Sequence, residues 1–328
     1  MTSREIIKAV LTFQRPPRIG MTLPKPYPND FLRTGRRPDK PLSTPLAPRG
    51  NEVKRWRDEW GCVWATLTDY DKGEVVEPAI ADWSQLGRYV PPNLGRKEDY
   101  AQAAAAFAAD GEHFRAGSIP GFTFNVARYL RKLENYLCDL ALEPAKIAQL
   151  HQIVRGQLLA AIDRLAEAGA DAILFAEDWG TQDRLMVSPA MWREVFKPEF
   201  RALAGRAHDH GMSVLMHSCG KMTDVVADMI ECGINCFQFD QPRLHGIEHL
   251  AERFGGKATF WFPVDIQKTL QTHDERLIRQ EARLLIEKLG GFGGGFIAGY
   301  YGGNQAIGLE PSVQDIACRA FVEFGTYR

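Results

Sequence analysis

The chain has almost no net charge: 40 Lys and Arg against 41 Asp and Glu leave −1 over 328 residues. So even a balance supplies neither the basic face that a nucleic-acid backbone needs nor an acidic tail, which argues against a nucleic-acid binder. No apolar run reaches the roughly 18 residues that span a bilayer, and the N-terminus lacks the apolar core of a signal peptide. The expected location is the cytoplasm, without membrane attachment. Cysteine is scarce as well. Six are scattered through the chain (Cys62, Cys138, Cys219, Cys232, Cys236, Cys318), too few for a disulfide scaffold at this length, which fits a reducing compartment. Cys232 and Cys236 sit around a helix-to-strand turn and read as small buried hydrophobes.

With 45% hydrophobic residues, a chain this long buries about 75% of its unfolded surface and can build a large core. From about residue 100 onward, helical and strand patterns alternate. Buried strands are expected at 113–117, 172–176, 213–216, 236–239, 259–262 and 295–299. Helices are expected at 100–110, 122–142, 144–168, 188–210, 221–232, 243–254 and 273–289, several ending at a glycine stop. Strands separated by helices of this size imply a parallel sheet, most simply closed as a (β/α)8 TIM barrel. A doubly wound open sheet fits the same pattern. The barrel body is expected over residues 96–328, with residues 1–95 forming an N-terminal helix, a proline-rich segment and a β-ribbon packed on it.

The first hundred residues differ in character. Nine prolines between Arg15 and Gly50 make that stretch extended, part of it a candidate lid. Glu59–Leu67 alternates and is followed by a second β-prone piece at 74–76, which suggests a small ribbon. Trp60 and Trp64 lie in it and are candidates for the rim of a substrate pocket, although aromatic residues in such a ribbon more often pack against the barrel wall.

Polar residues follow five successive strands: Glu177, Asp178 and Trp179; His217 and Cys219; Asp240 and Gln241; Asp265; Tyr300 and Tyr301. The starts of the same strands are glycine turns. In a barrel the C-terminal ends converge on the face where active sites form. The glycine cluster 290–295 resembles a phosphate cradle but precedes its strand, so it belongs to the opposite face, whereas the Gly302-Gly303-Asn304 turn lies on the active face. His217-Ser218-Cys219 is the sharpest of these features. Side chains two apart on a strand point the same way, and an imidazole with a thiolate is a borderline-soft pair suited to Zn2+. An isolated H-x-C is more often a buried cysteine beside a hydrogen-bonded histidine, and the strand-end position is what tips this one toward a site. Glu177 and Asp178 are candidate proton donors, Asp178 equally a helix cap, and Tyr301 is a candidate donor to an oxyanion.

Several stretches carry a resemblance that spans nearly the whole chain. They are the helix Ser3–Val10 running into Pro17-Arg18-Ile19-Gly20, the ribbon Asp58–Trp64, Glu177-Asp178-Trp179-Gly180-Thr181-Gln182, His217-Ser218-Cys219-Gly220, and Pro263–Leu270. Together they resemble the uroporphyrinogen decarboxylase-like superfamily, in particular its branch of cobamide-dependent methyltransferases and O-demethylases. The resemblance implies a (β/α)8 barrel and adds Trp179, Gln182, Gln241 and Asp265 to Trp60 and Trp64 as candidate substrate-binding residues. The decarboxylase's M-R-Q-A-G-R-Y signature has no counterpart in Met21-Thr22-Leu23-Pro24-Lys25-Pro26-Tyr27, so the arginines that hold a porphyrinogen's carboxylates are missing there. The methyltransferase branch uses H-x-C and a later cysteine as zinc ligands. Here Tyr300-Tyr301-Gly302 stands in the later cysteine's place, and Cys318 lies too far on. Either a third ligand comes from elsewhere, with Asp240 and Glu177 the nearest candidates, or the metal site is absent. The similar barrel of cobalamin-independent methionine synthase takes an acidic ligand from the following strand, which favours Asp240.

The expectation is therefore a zinc-assisted methyltransferase or demethylase. Its metal ligands are His217, Cys219 and Asp240, its substrate a small methoxy or methylthiol compound, and its partner a corrinoid protein, with a homodimer as the candidate assembly. The alternatives are a carboxy-lyase acting on a small carboxylic acid without metal, and a binding protein that has kept only the barrel.

Overall fold

Each barrel strand is short, and its alternate residues enter two different cores. The computed structural model describes residues 1–327, with twelve strands: β1 (Gly20–Met21), β2 (Phe31–Gly35), β3 (Ser43–Leu46), β4 (Lys54–Asp58), β5 (Val63–Thr66), β6 (Glu74–Glu77), β7 (Phe114–Ser118), β8 (Ala172–Ala176), β9 (Ser213–His217), β10 (Cys236–Gln238), β11 (Thr259–Phe262) and β12 (Phe296–Ala298). Eight form one wholly parallel sheet in the order β1-β12-β11-β10-β9-β8-β7-β2, the wall of a (β/α)8 barrel. Phe114, Ala172, Leu174, Leu215, Cys236, Trp261 and Ile297 gather inside it, while Ile173, Phe175, Val214, Met216, Phe237, Phe260 and Phe296 face the surrounding helices. This is the period of two expected of strands buried on both faces.

The edge strands β1 and β2 meet through the backbone and side chain of Asp30 instead of a ladder. The Asp30 N–H donates to the Met21 carbonyl, and the Asp30 carboxylate accepts from the Met21 N–H, both at 2.8 Å. Arg18 pairs with that carboxylate at 2.6 Å. The barrel is therefore not confined to residues 96–328, because two of its strands come from the first 35 residues. Pro24, Pro26 and Pro28 are confined to the turn between them and leave Gly20–Met21 and Phe31–Gly35 free to pair.

The helix Ser3–Leu11 starts with a Thr2/Glu5 capping box and plugs the N-terminal end of the barrel with Ile6, Ile7, Val10 and Leu11. The opposite end stays open. Strands β3 to β6 form a four-stranded antiparallel sheet, larger than the ribbon expected, that lies on the helix Thr123–Arg131. Trp64 meets the Tyr129 ring edge-on at 4.6 Å, and the Cys62 thiol donates to the Tyr129 carbonyl at 3.3 Å. The expected helix 122–142 is two helices, Thr123–Arg131 and Leu133–Leu142, broken at Lys132 with φ +65°. No helix among the described residues is long and apolar enough to cross a membrane.

Candidate functional site

Ladder register sets the height of the site. Ala176, His217 and Gln238 lie side by side on β8, β9 and β10. Two residues further along stand Asp178, Cys219 and Asp240. His217 Nε2 lies 3.3 Å from Cys219 Sγ and 3.6 Å from an Asp178 carboxylate oxygen, and one donor atom from each of Asp178, His217 and Cys219 falls within 4.8 Å of the others. The Asp178 carboxylate also accepts the Cys219 N–H at 2.9 Å and faces Arg128 at 3.7 Å.

Close backbone contact makes this convergence possible. The Gly180 N–H donates to the Cys219 carbonyl at 3.3 Å, and a Cβ on Gly220 would sit 2.0 Å from the Gly180 carbonyl oxygen. Gly220 also takes φ +74°. Only a residue without a Cβ permits both the approach and the conformation. The loops carrying Asp178 and Cys219 are thus locked together directly above the metal-capable atoms.

One nitrogen, one sulfur and one oxygen donor from three side chains are a set that zinc accepts, with a coordination position left for a substrate. The third donor is Asp178, where Asp240 was expected. Asp240 accepts from Gln238 Nε2 at 2.8 Å, and the other end of that amide, Oε1, meets His217 Nδ1. A carboxylate only accepts, so the amide NH2 must face Asp240 and the amide oxygen must face the imidazole. That assigns the proton to Nδ1 and leaves the Nε2 lone pair turned toward Cys219 and Asp178. Asp240 therefore stands behind the imidazole as the group that fixes its orientation. Gln238 was missed at the sequence level, although it shares the inward face of its strand with Cys236 and Asp240.

The other expected residues separate by face. Glu177 points the opposite way from Asp178, is fully buried, and accepts the N–H groups of Phe122 and of Phe124 (3.1 Å) at the start of helix Thr123–Arg131. Burial pushes its carboxyl up to about 8 against those hydrogen bonds. It is a helix cap, not a cavity group. Trp179 is buried against Phe124 at 4.1 Å and Phe196 at 4.8 Å. Asp265 accepts the N–H groups of Arg243, Gln267 and Lys268, Gln241 supports the Gly220 N–H, and Gln182 lies on an exposed loop. Trp60 is buried, with its carbonyl accepting from the Tyr89 hydroxyl at 3.0 Å. None of these lines the cavity, because each serves the turn or core it starts from.

The cavity over the triad has a volume of about 510 Å3, and His217, Cys219, Gln238, Asp240, Trp261, Tyr300 and Tyr301 are in its wall. Arg33, Lys72 and Ser118 join them from β2, the β5–β6 turn and the end of β7. Nothing local marks those three, which come from segments read as extended chain, ribbon and ordinary strand. A second cavity of about 390 Å3 runs beneath the four-stranded sheet past Trp64, Arg128, Tyr129 and Asp178, and Lys72 borders both. Residues 36–49 do not seal the first cavity. Burial pushes the Cys219 thiol up to about 12, with Asp178 and Asp240 adding to the shift and Lys72 opposing it. Burial likewise raises Tyr301, so its hydroxyl stays protonated.

Fold and site define a class: a (β/α)8 barrel with a metal-capable Asp–His–Cys set at the C-terminal ends of its strands. Residues 69–324 match the uroporphyrinogen decarboxylase (URO-D) family, and the chain belongs to it. Among solved structures, a methyltransferase from Methanosarcina mazei is similar at TM-score 0.62 and 18% identity, over 81% of this chain and 76% of that one. It shows the same fold. D-psicose 3-epimerase, solved in the presence of D-fructose, is similar at TM-score 0.45 and 12% identity over 74% of this chain and 85% of that one, too weakly to carry an argument. No curated protein matches.

Proposed function

We propose that the protein is a zinc-dependent methyltransferase or demethylase that moves a methyl group between a small methoxy or methylthiol compound and a corrinoid carried by a partner protein. The convergence of Asp178, His217 and Cys219 carries this reading. Similarity to the M. mazei methyltransferase supports it within the URO-D family. The two monoanionic ligands balance a divalent ion, and the neutral imidazole fills a third position without adding charge. A zinc ion there supplies Lewis acidity to a sulfur or oxygen next to the migrating methyl group.

The chain's own residues do the rest. Cys219 holds its proton in the metal-free site because burial and two carboxylates disfavour the thiolate, so metal uptake is coupled to release of that proton. Gln238 and Asp240 keep the imidazole lone pair aimed inward. Tyr301 presents a protonated hydroxyl to the cavity and is the donor available to a leaving oxygen. Asp178, expected as an acid, is occupied as a ligand.

Metal analysis tests the reading. Protein produced with ample zinc carries about one zinc per chain, and Asp178→Ala, His217→Ala and Cys219→Ala each remove most of it. A metal-free wild type sinks the proposal. The competing reading, a metal-independent carboxy-lyase, draws its support from Arg33 and Lys72 in the same wall and is favoured by that outcome.

A further inference from the structure

The two oxygens of Asp178 have different neighbours. Oδ1 accepts the Cys219 N–H at 2.9 Å and lies 3.6 Å from His217 Nε2, so it is the oxygen turned toward the other two donors. Oδ2 faces Arg128 Nη2 at 3.7 Å. Asp178 and Arg128 both border the cavity beneath the four-stranded sheet, whereas His217 and Cys219 border the cavity over the triad. The carboxylate thus stands between the two cavities, with a guanidinium on one side and the metal-capable nitrogen and sulfur on the other.

Packing holds Arg128 in that place. It is 9% exposed, one turn after Phe124 on the helix Thr123–Arg131, and its guanidinium carbon lies 5.3 Å from the Phe124 ring centroid and 5.0 Å from that of Tyr129. Nη2 also donates to the Tyr129 hydroxyl at 3.2 Å. Both rings are themselves fixed, Phe124 by stacking on Trp179 at 4.1 Å and Tyr129 by the edge-on contact with Trp64. Glu177 caps the start of the same helix, so consecutive residues after β8 meet its first and second turns. At 3.7 Å the approach of Arg128 to Oδ2 is an ion pair without a hydrogen bond, and the guanidinium acts there as a positive charge.

We propose that Arg128 is a positioning residue of the metal site: its charge holds Oδ2 of Asp178 off the ion, so that the carboxylate supplies one oxygen and a coordination position stays open to substrate. This rests on the reading of Asp178, His217 and Cys219 as metal ligands. A carboxylate binds a metal through one oxygen or through both, and the second oxygen would take the position that a catalytic zinc site leaves open. Turning Oδ2 toward the ion would take it from one cation to another, and the buried guanidinium opposes that. Removing a group that merely packs the helix against the loop weakens metal binding, as loss of supporting partners does. Arg128 has the opposite sign, because a cation beside a ligand opposes the charge of the ion that the ligand holds.

Co2+ and Zn2+ are the probes, titrated into the full-length protein. The visible bands of Co2+ are intense in a four-coordinate site and weaken as a further ligand joins, so they report whether Oδ2 has turned onto the ion. Arg128→Met is expected to weaken those bands about threefold while the metal content stays that of wild type. Chelator competition is expected to show zinc held about tenfold more tightly in Arg128→Met. Arg128→Lys keeps the charge and should keep the wild-type bands. Arg128→Gln is shorter and leaves Oδ2 equally free, so it carries the same test if Arg128→Met does not fold. Bands identical to those of wild type in Arg128→Met overturn the proposal, and so does zinc held more weakly than in wild type. A wild type that binds neither metal removes the ligand reading and this inference with it. One that binds both, with Arg128→Met unchanged, removes this inference alone.

Discussion

Gln238 fixes the orientation of His217: its amide oxygen meets Nδ1 while its amide NH2 donates to Asp240 at 2.8 Å. Asp240 therefore acts on the metal-capable nitrogen through two hydrogen bonds. Gln238→Leu and Asp240→Ala should weaken zinc about 10- to 100-fold, the cost of losing a group that orients a ligand. Asp240→Asn should lose much less, because its carbonyl can still accept from the Gln238 amide. Chelator competition measures all three. A loss in Asp240→Ala as complete as that in Cys219→Ala would return Asp240 to the ligand set.

Glu177 and Asp178 are neighbours in sequence with separate tasks, and substitution should split them. Glu177→Gln keeps the shape but turns its NH2 toward one of the two backbone N–H donors at the start of helix Thr123–Arg131, leaving the amide oxygen to accept from the other. It should lower unfolding stability by roughly 1–3 kcal/mol, the usual penalty for an unsatisfied buried polar group, and leave zinc content unchanged. Asp178→Asn should do the reverse. Urea unfolding alongside metal analysis distinguishes them, and loss of zinc in Glu177→Gln with full stability would place Glu177 in the site.

The strand-end pattern makes both members of that pair cavity groups, although period two along Ala172, Leu174, Ala176 and Asp178 sends Glu177 to the helix side with Ile173 and Phe175. Strands β8 and β11 were readable residue by residue as apolar runs closed by turns. Other features depend on tertiary contact. β1 has two residues and is a strand only because β12 lies beside it. The break at Lys132 has no glycine or proline to announce it. Choosing Asp178 over Asp240 requires knowing how two loops turn after their strands end, which the Gly180–Gly220 contact decides. Arg33 became a cavity residue only when β2 joined the wall.

Beneath Trp179 the aromatic cluster contains a titratable pair, Tyr136 hydroxyl and His151 Nε2 at 2.6 Å, both buried, with His151 beside Phe196. Burial lowers His151 to about 3, with Arg155 adding to the effect. A histidine depressed in the fold contributes stability that is complete above its unfolded value near 6.5 and is lost as pH falls toward 3, because the unfolded chain takes the proton first. From pH 7 to pH 4 the wild type should therefore lose on the order of 3 kcal/mol more stability than His151→Gln, whose amide can still meet Tyr136. Parallel urea curves at the two pH values measure the difference. Equal losses in the two proteins would mean that His151 is charged in the fold.

Gly220 and Gly211 have nearly the same backbone, φ +74° and +71°, yet only one is in contact. A Cβ at Gly211 meets nothing within 4 Å, whereas one at Gly220 would lie 2.0 Å from the Gly180 carbonyl oxygen. Gly211→Ala isolates the conformational cost of a left-handed residue, roughly 1 kcal/mol, with zinc affinity intact. Gly220→Ala adds a clash between two backbones that cannot rotate away, so the loops bearing Asp178 and Cys219 must part. Its zinc affinity should fall at least tenfold, because ligands held by the separated loops no longer meet. Zinc titration of the two variants, with their unfolding curves, tests the claim. If Gly220→Ala binds zinc as Gly211→Ala does, the contact between the loops is not what brings the ligands together.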